Sequence, residues 1–251
     1  MQNIKLTVEY DGRNFSGWQI QKKGERTIQG EITRALARIT RKPVIVIGAG
    51  RTDRGVHALG QIAHVKLDSL LSSTTLLKAL NANLPDDIAI LKVQKVSDQF
   101  HAQYNAKTKI YRYVILNRQA RSAKERGFYC HIPRPLNVPL IKNESKALIG
   151  RHDFAAFAAV DVWSKKHHVE KSTIRHIKKI TFSHSHGFLL IDIEADGFLY
   201  KMVRNIVGTL IAIGTGQIKK GGLKKILLSK LRRNAGPTAP PQGLCLLKVK
   251  Y

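Results

Sequence analysis

Ile4, Leu6, Val8 and Tyr10 alternate with polar or charged neighbours, the two-residue period of a half-buried strand, and Asp11-Gly12 ends it. After a polar loop, Ile28, Ile32, Ala35, Leu36 and Ile39 fall on one face of a helix, with Thr27 available as its N-cap and Pro43 beyond its end. Residues 44–47 are apolar throughout and predict a short strand buried on both faces. A Gly-rich stretch follows, and then Ala63, Val65 and Leu67 alternate as another strand. Leu76, Leu77, Leu80 and Leu84 predict a helix closed by Pro85, and residues 88–96 read as a strand. The order is β-α-β-β-α-β, the split βαβ arrangement of ferredoxin-like domains.

The second half follows the same grammar. Residues 109–116 are strongly strand-like, and residues 140–149 predict a short helix ending at Gly150. Residues 174–182 and 188–193 read as a hairpin around 183–187. A long helix is expected over about 200–213, a shorter one near 223–231, and a closing strand over 244–249. This is a second β-α-β-β-α-β with insertions at 117–135 and 150–172, a repeat of topology without visible sequence identity. The predicted fold is therefore α+β, two ferredoxin-like lobes sharing a central antiparallel sheet with a cleft between them. The N-terminal lobe is 1–105 and the C-terminal lobe 106–251.

Composition narrows the function. The 251 residues carry 43 Lys+Arg against 17 Asp+Glu, a net charge of +26, while 43% hydrophobic content supplies a core. The first hundred residues account for +6 of that charge and residues 101–251 for +20. Such an excess repels itself unless a polyanion neutralises it, and nucleic acid fits better than a membrane surface because no basic amphipathic helix is visible. No apolar run approaches the ~20 residues of a membrane span. The N-terminus shows no signal-peptide pattern, and two cysteines, Cys130 and Cys245, make no disulfide framework. The expectation is a cytoplasmic protein.

Candidate chemistry concentrates in Gly48-Ala49-Gly50-Arg51-Thr52-Asp53-Arg54-Gly55-Val56-His57-Ala58. It fails as a Walker loop, because no Lys-Ser/Thr pair follows Gly55, and it fails the GxGxxG spacing. What remains is one carboxylate, Asp53, between two arginines, which keep it ionised and suit it to a nucleophile or base. From this motif alone, an Asp–Arg pair that merely closes a loop is the stronger reading. His184-x-His186 and His167-His168 lack the Cys-x-x-Cys or His-Glu-x-x-His company of a zinc site. No Gly-x-Ser-x-Gly elbow and no aromatic-rich RNA-recognition pattern is present.

The stretch Gly50-Arg51-Thr52-Asp53-Arg54-Gly55-Val56-His57-Ala58 resembles the catalytic signature of the tRNA pseudouridine synthase A family. Tyr10-Asp-Gly-x-x-Phe15-x-Gly-Trp-Gln19 agrees with the same family, as do Phe100-His-Ala-x-x-x-Ala106 and Lys109-x-Tyr111-x-Tyr113. So do His152-Asp-Phe154-x-x-Phe157, Ser172-Thr-x-Arg175, Phe198-Leu-x-x-Met202-Val-Arg204-Asn-x-x-Gly208 and Ala239-Pro-Pro-x-Gly243-Leu244. The likeness spans essentially the whole chain, and it departs at residues 162–171, unusually rich in Lys and His.

The resemblance implies an enzyme that isomerises uridine to pseudouridine in the tRNA anticodon stem-loop, using no metal or other cofactor. It makes Asp53 the nucleophile, which adds to C6, attacks C1′ or assists a glycal-forming elimination. It implies that Tyr111 packs on the target uracil and that Arg204 pairs with the catalytic carboxylate. Arg51 and Arg54 then face the RNA, Leu244 lines the base pocket, and the protein is a homodimer. The competing class is a non-catalytic, ribosome-associated RNA-binding protein. It explains the charge equally well and gives no reason for the Arg-Thr-Asp-Arg loop.

Overall fold

The computed structural model describes residues 1–21, 24–68, 71–159 and 172–251. Its first elements are β1 (Gln2–Tyr10), α1 (Ile28–Thr40), β2 (Ile47–Gly48), β3 (His57–Leu67), α2 (Ser73–Asn83) and β4 (Ile88–Val96). Then follow β5 (Thr108–Leu116), β6 (Cys130–His131), α3 (Val138–Ser145), β7 (Gly150–Asp153), β8 (Ile174–Ser185) and β9 (Phe188–Ala195). Helices α4 (Met202–Gly214) and α5 (Gly222–Ser229) precede the last strand, β10 (Leu244–Lys250). The chain divides into two compact units, Met1–Lys109 with Cys245–Tyr251, and Ile110–Leu244. The class is the expected mixture of helices and mostly antiparallel strands, and the first half keeps the predicted order of elements.

In unit one, β1 lies between β3 and β4 and runs antiparallel to both, from Gln2↔Leu67 to Tyr10↔Ala58 and from Asn3↔Val96 to Tyr10↔Ile88. Its alternating side chains Ile4, Leu6, Val8 and Tyr10 are buried, as their period requires. Thr27 caps α1, its side chain accepting from Gly30 N at 3.3 Å, and the helix buries Ile28, Ile32, Ala35 and Leu36. Two segments share the edge of β3 opposite β1. β10 runs parallel beside its start, Cys245↔His57 and Leu246↔Ala58, while β2 pairs antiparallel farther along, Ile47↔His64 and Gly48↔Ala63. The apolar run 44–47 is not the doubly buried strand its composition predicts. Only Ile47–Gly48 is a strand, and Ile45 is 78% exposed while Val46 is buried. This is an edge segment, which has a core to cover on one side only.

In unit two the strand order is β5-β9-β8-β7, and β6 pairs parallel with β5 through Ile115↔Cys130 and Leu116↔His131. The β8–β9 hairpin turns on two residues, His186 and Gly187, at φ 48 and 82. That double positive φ matches the twist of the flanking strands, so the strands run farther into 183–187 than expected. The short helix starts at Val138, tightens into a 3-10 turn over Lys146–Leu148, and gives way at Gly150 (φ 110) to β7. Of the 150–172 insertion, the Lys- and His-rich residues 162–171 lie outside the described residues. Helix α4 is buried almost all round, as its predominantly apolar sequence demands. Among the described residues no helix is long and apolar enough to cross a membrane.

One acidic residue has a structural task in this basic unit. The carboxylate of Glu144, buried near the end of α3, accepts from Gly221 N at 2.9 Å and Leu223 N at 3.3 Å. It thereby caps α5, whose own N-cap residue, Gly221, has no side chain to do so. Glu144→Ala is expected to cost about 2–3 kcal/mol, from two charge-assisted bonds lost and the Leu223 amide left buried without a partner. Glu144→Gln should cost less. Urea unfolding of the three proteins measures this, and equal midpoints would leave α5 independent of Glu144.

Candidate active site

The segment Ala49–Val56 leaves β2 and enters β3, and backbone groups of five of its residues are tied by hydrogen bonds. Ala49 N donates to Ile62 O at 2.7 Å, and Gln61 Nε2 donates to Gly50 O at 2.9 Å. Trp18 N donates to Thr52 O at 3.1 Å, and the Thr52 and Tyr10 hydroxyls lie 2.8 Å apart. Val56 N donates to Asp53 O at 3.2 Å, closing a four-residue turn whose third residue, Gly55, has φ 79. Thr52 and Val56 are buried as anchors, Asp53 is half-buried, and Arg51 and Arg54 are exposed. Burial pushes the Tyr10 hydroxyl far above an ordinary phenol, against the pull of its bonds to Thr52 and Gln61. The anchor therefore stays neutral.

The stretch Tyr10–Trp18 is the cradle for this loop. A side chain on Gly12 would put its Cβ 2.0 Å from Val56 O, and one on Gly17, at φ 100, would reach 2.6 Å from Thr52 O. The Trp18 ring lies so close to Gly48 that a Cβ there would sit 2.5 Å from it. Gly12 N also donates to His57 Nδ1 at 3.2 Å. The cradle is itself fastened by Arg26, whose guanidinium pairs with Asp87 at 2.7 and 2.9 Å and stacks over Phe15 at 4.2 Å. Lys109 adds a cation, its Nζ only 3.1 Å from where a Cβ on Gly50 would lie. The sequence singled out Lys109 merely as part of a motif.

Unit two holds the other residues. Tyr111 on β5 is 7% exposed, with Phe198 edge-on to it at 5.1 Å between ring centres. Two positions along the same face, Tyr113 OH donates to Pro240 O at 2.8 Å, and its ring lies against Gly243. Burial, then the neighbouring Cys130, pushes the Tyr113 hydroxyl strongly upward. Arg204, in the first turn of α4, donates from Nε to Ala239 O at 2.8 Å, while Ala239 N donates to Arg204 O at 3.1 Å. Leu244, buried, follows the turn Pro241–Gly243. Arg204, Leu244 and the face of β5 thus meet along residues 239–244, while Arg51, Asp53 and Arg54 share one loop of unit one.

Asn205 is a residue that the sequence singled out only as part of a motif, with no role. It is fully buried, donates Nδ2 to Phe157 O at 2.7 Å, and accepts at Oδ1 from Thr238 Oγ1 (2.7 Å) and Arg232 Nη2 (3.1 Å). Together with Gly208, against which Pro237 O packs too closely for any side chain, it fastens residues 232–239 to α4. A polar residue inside the apolar run of α4 was the available signal. Among the described residues no group of three or more His, Cys, Asp or Glu side chains is placed to hold a metal ion.

A carboxylate on a pinned loop between two exposed arginines is equipped for nucleophilic or base chemistry beside a polyanion. The comparisons with known proteins bear on which chemistry. The family model described as tRNA pseudouridine synthase matches residues 6–105 and 145–251. A tRNA pseudouridine synthase A from Thermoanaerobacter sp. (strain X514) is 47% identical over 251 residues, covering all of both chains. One of the same name from Acetivibrio thermocellus is 41% identical over the full length of both chains. A tRNA pseudouridine synthase A 2 from Bacillus anthracis is 40% identical, again over the whole of each.

Proposed function

The chain belongs to the tRNA pseudouridine synthase family, and from that premise we propose that it isomerises uridine to pseudouridine in the anticodon stem-loop of tRNA, with Asp53 as nucleophile. The observation that carries the reading is the loop 49–56, whose backbone is tied at Ala49, Gly50, Thr52 and Val56 while Asp53 stays half-buried and its flanking arginines exposed. Such preorganisation is what a group that must meet a reacting atom requires.

The chemistry is redox-neutral. The C1′–N1 bond breaks, the base reorients, and C1′ bonds to C5; N1 gains a proton and C5 loses one to solvent. Asp53 supplies the negative group, by adding to C1′ or C6 or by assisting elimination to a glycal. Reaching a stacked uridine means extruding it, at a cost of a few kcal/mol. Tyr111 gives the extruded uracil a ring to pack on, and Leu244 an apolar wall. Arg51 and Arg54 hold RNA on the exposed side of the loop, and Arg204 supplies a further guanidinium. The charge of +20 after residue 100 suits the phosphates of the rest of the tRNA. Two copies of the chain share one tRNA in this reading.

Unmodified tRNA labelled with tritium at C5 of uridine tests it. The protein should release tritium to solvent with no added cofactor, and pseudouridine should map to the anticodon arm. Tight binding with no release would instead favour the non-catalytic RNA-binding class.

A further inference from the structure

Five aromatic rings of unit one form a continuous series that ends in solvent. Tyr251 lies 4.9 Å from Phe100, Phe100 meets His64 edge-on at 6.1 Å, and His64 meets His101 at 4.8 Å. His101 then stacks on Tyr104 at 4.2 Å with 20° between the planes. Tyr104 is 79% exposed, although one face of its ring is covered by His101. Its other face is therefore open.

The turn that carries Tyr104 is fixed from three directions. His101 Nδ1 accepts from Gln103 N and Tyr104 N, each at 3.2 Å, so the imidazole orients the backbone beneath the tyrosine. His101 N donates to Asn105 Oδ1 at 2.6 Å, and Asn105 N donates to His101 O at 3.0 Å. Between them, Ala102 N donates to His64 Nδ1 at 3.1 Å, and Tyr251 OH donates to Ala102 O at 2.7 Å. Lys5 Nζ lies 5.7 Å from the centres of both the Phe100 and Tyr251 rings, adding positive charge at the far end. An exposed aromatic ring held flat by a rigid support, on a chain of net charge +26, has the makings of a stacking platform.

We infer that the open face of Tyr104 stacks on an unpaired nucleobase of the bound tRNA, with His101 beneath it as a positioning residue. The inference rests on the tRNA reading above and adds a second contact, separate from the loop of Asp53. Stacking on one ring is sequence-tolerant, so this contact contributes affinity and register and does not choose the base.

The test compares Tyr104→Ala and Tyr104→Phe with the wild-type chain, using the same unmodified tRNA in binding and tritium-release assays. Tyr104→Ala should weaken binding about 5- to 150-fold, the usual worth of one base–aromatic stack, and Tyr104→Phe should bind like wild type. KM should rise in Tyr104→Ala with kcat retained, and the slope of log K against log salt should stay unchanged because no phosphate contact is lost. Binding by Tyr104→Ala equal to wild type, or an equal loss in Tyr104→Phe, would overturn the inference. So would a fall in oligomeric mass of Tyr104→Ala, which would make the ring a contact between copies. A wild-type chain that neither binds nor modifies tRNA would overturn the reading beneath it.

Discussion

Asp53→Asn is expected to fold and bind tRNA as the wild-type protein does, while tritium release from C5-labelled tRNA falls to background. The amide matches the carboxylate in shape. The bond that closes the turn comes from the backbone oxygen of Asp53, donated to by Val56 N, and does not depend on the side chain. The anchors of the loop, Tyr10 on Thr52 and Trp18 on Thr52, are likewise untouched. In the proposed complex RNA is held by lysines and arginines, and one carboxylate fewer increases the attraction. An amide oxygen is no nucleophile at neutral pH. A melting curve and a binding isotherm run beside the rate separate the outcomes. Full activity in the folded variant would remove Asp53 from the reaction, and loss of fold with loss of binding would reduce it to a loop-closing residue.

Gly17→Ala should cost about a hundredfold in turnover without touching the substrate. Its Cβ would lie 2.6 Å from Thr52 O and 3.2 Å from both Asp53 C and Arg54 N. These are backbone atoms and have no rotamer by which to yield. The loop must shift, and a displacement near 1 Å of a catalytic group is worth about that factor. Gly24→Ala is the matched control. Gly24 has φ 96 against 100 for Gly17, so both variants bear the same left-handed strain, but nothing lies within 4 Å of the added carbon at position 24. Equal turnover in the two variants would show that the loop does not need the cradle.

Elements with a clean period were legible in the sequence. β1 showed its two-residue alternation, α1 its single apolar face with Thr27 in front, and β4 its bounds. The run 44–47 misled because four apolar residues state hydrophobicity but not direction. Whether both faces are covered depends on the partner strand, and Ile45 is left in solvent. Within the candidate site, Asp53 and its arginines stood out as residue types. The cradle showed only as a motif with no task attached, because the bond between Tyr10 and Thr52 spans 42 positions and the bonds of Asn205 reach Phe157, Arg232 and Thr238. Such long-range partners leave only local traces, a glycine with no turn to explain it or a polar residue in an apolar helix.

Residues Cys245–Tyr251 group with the first 109 although the whole of unit two, some 135 residues, intervenes. On the ribosome this ordering delays completion. At about 5–20 residues per second, unit one waits about 7–27 s after Lys109 is made before β10 can lie along β3 at His57 and Ala58. Those two residues directly follow the Asp53 turn. A nascent chain therefore carries this strand edge unpaired while all of unit two is made, a period in which chaperone cover would protect it, and the newborn enzyme should gain activity only once β10 has docked.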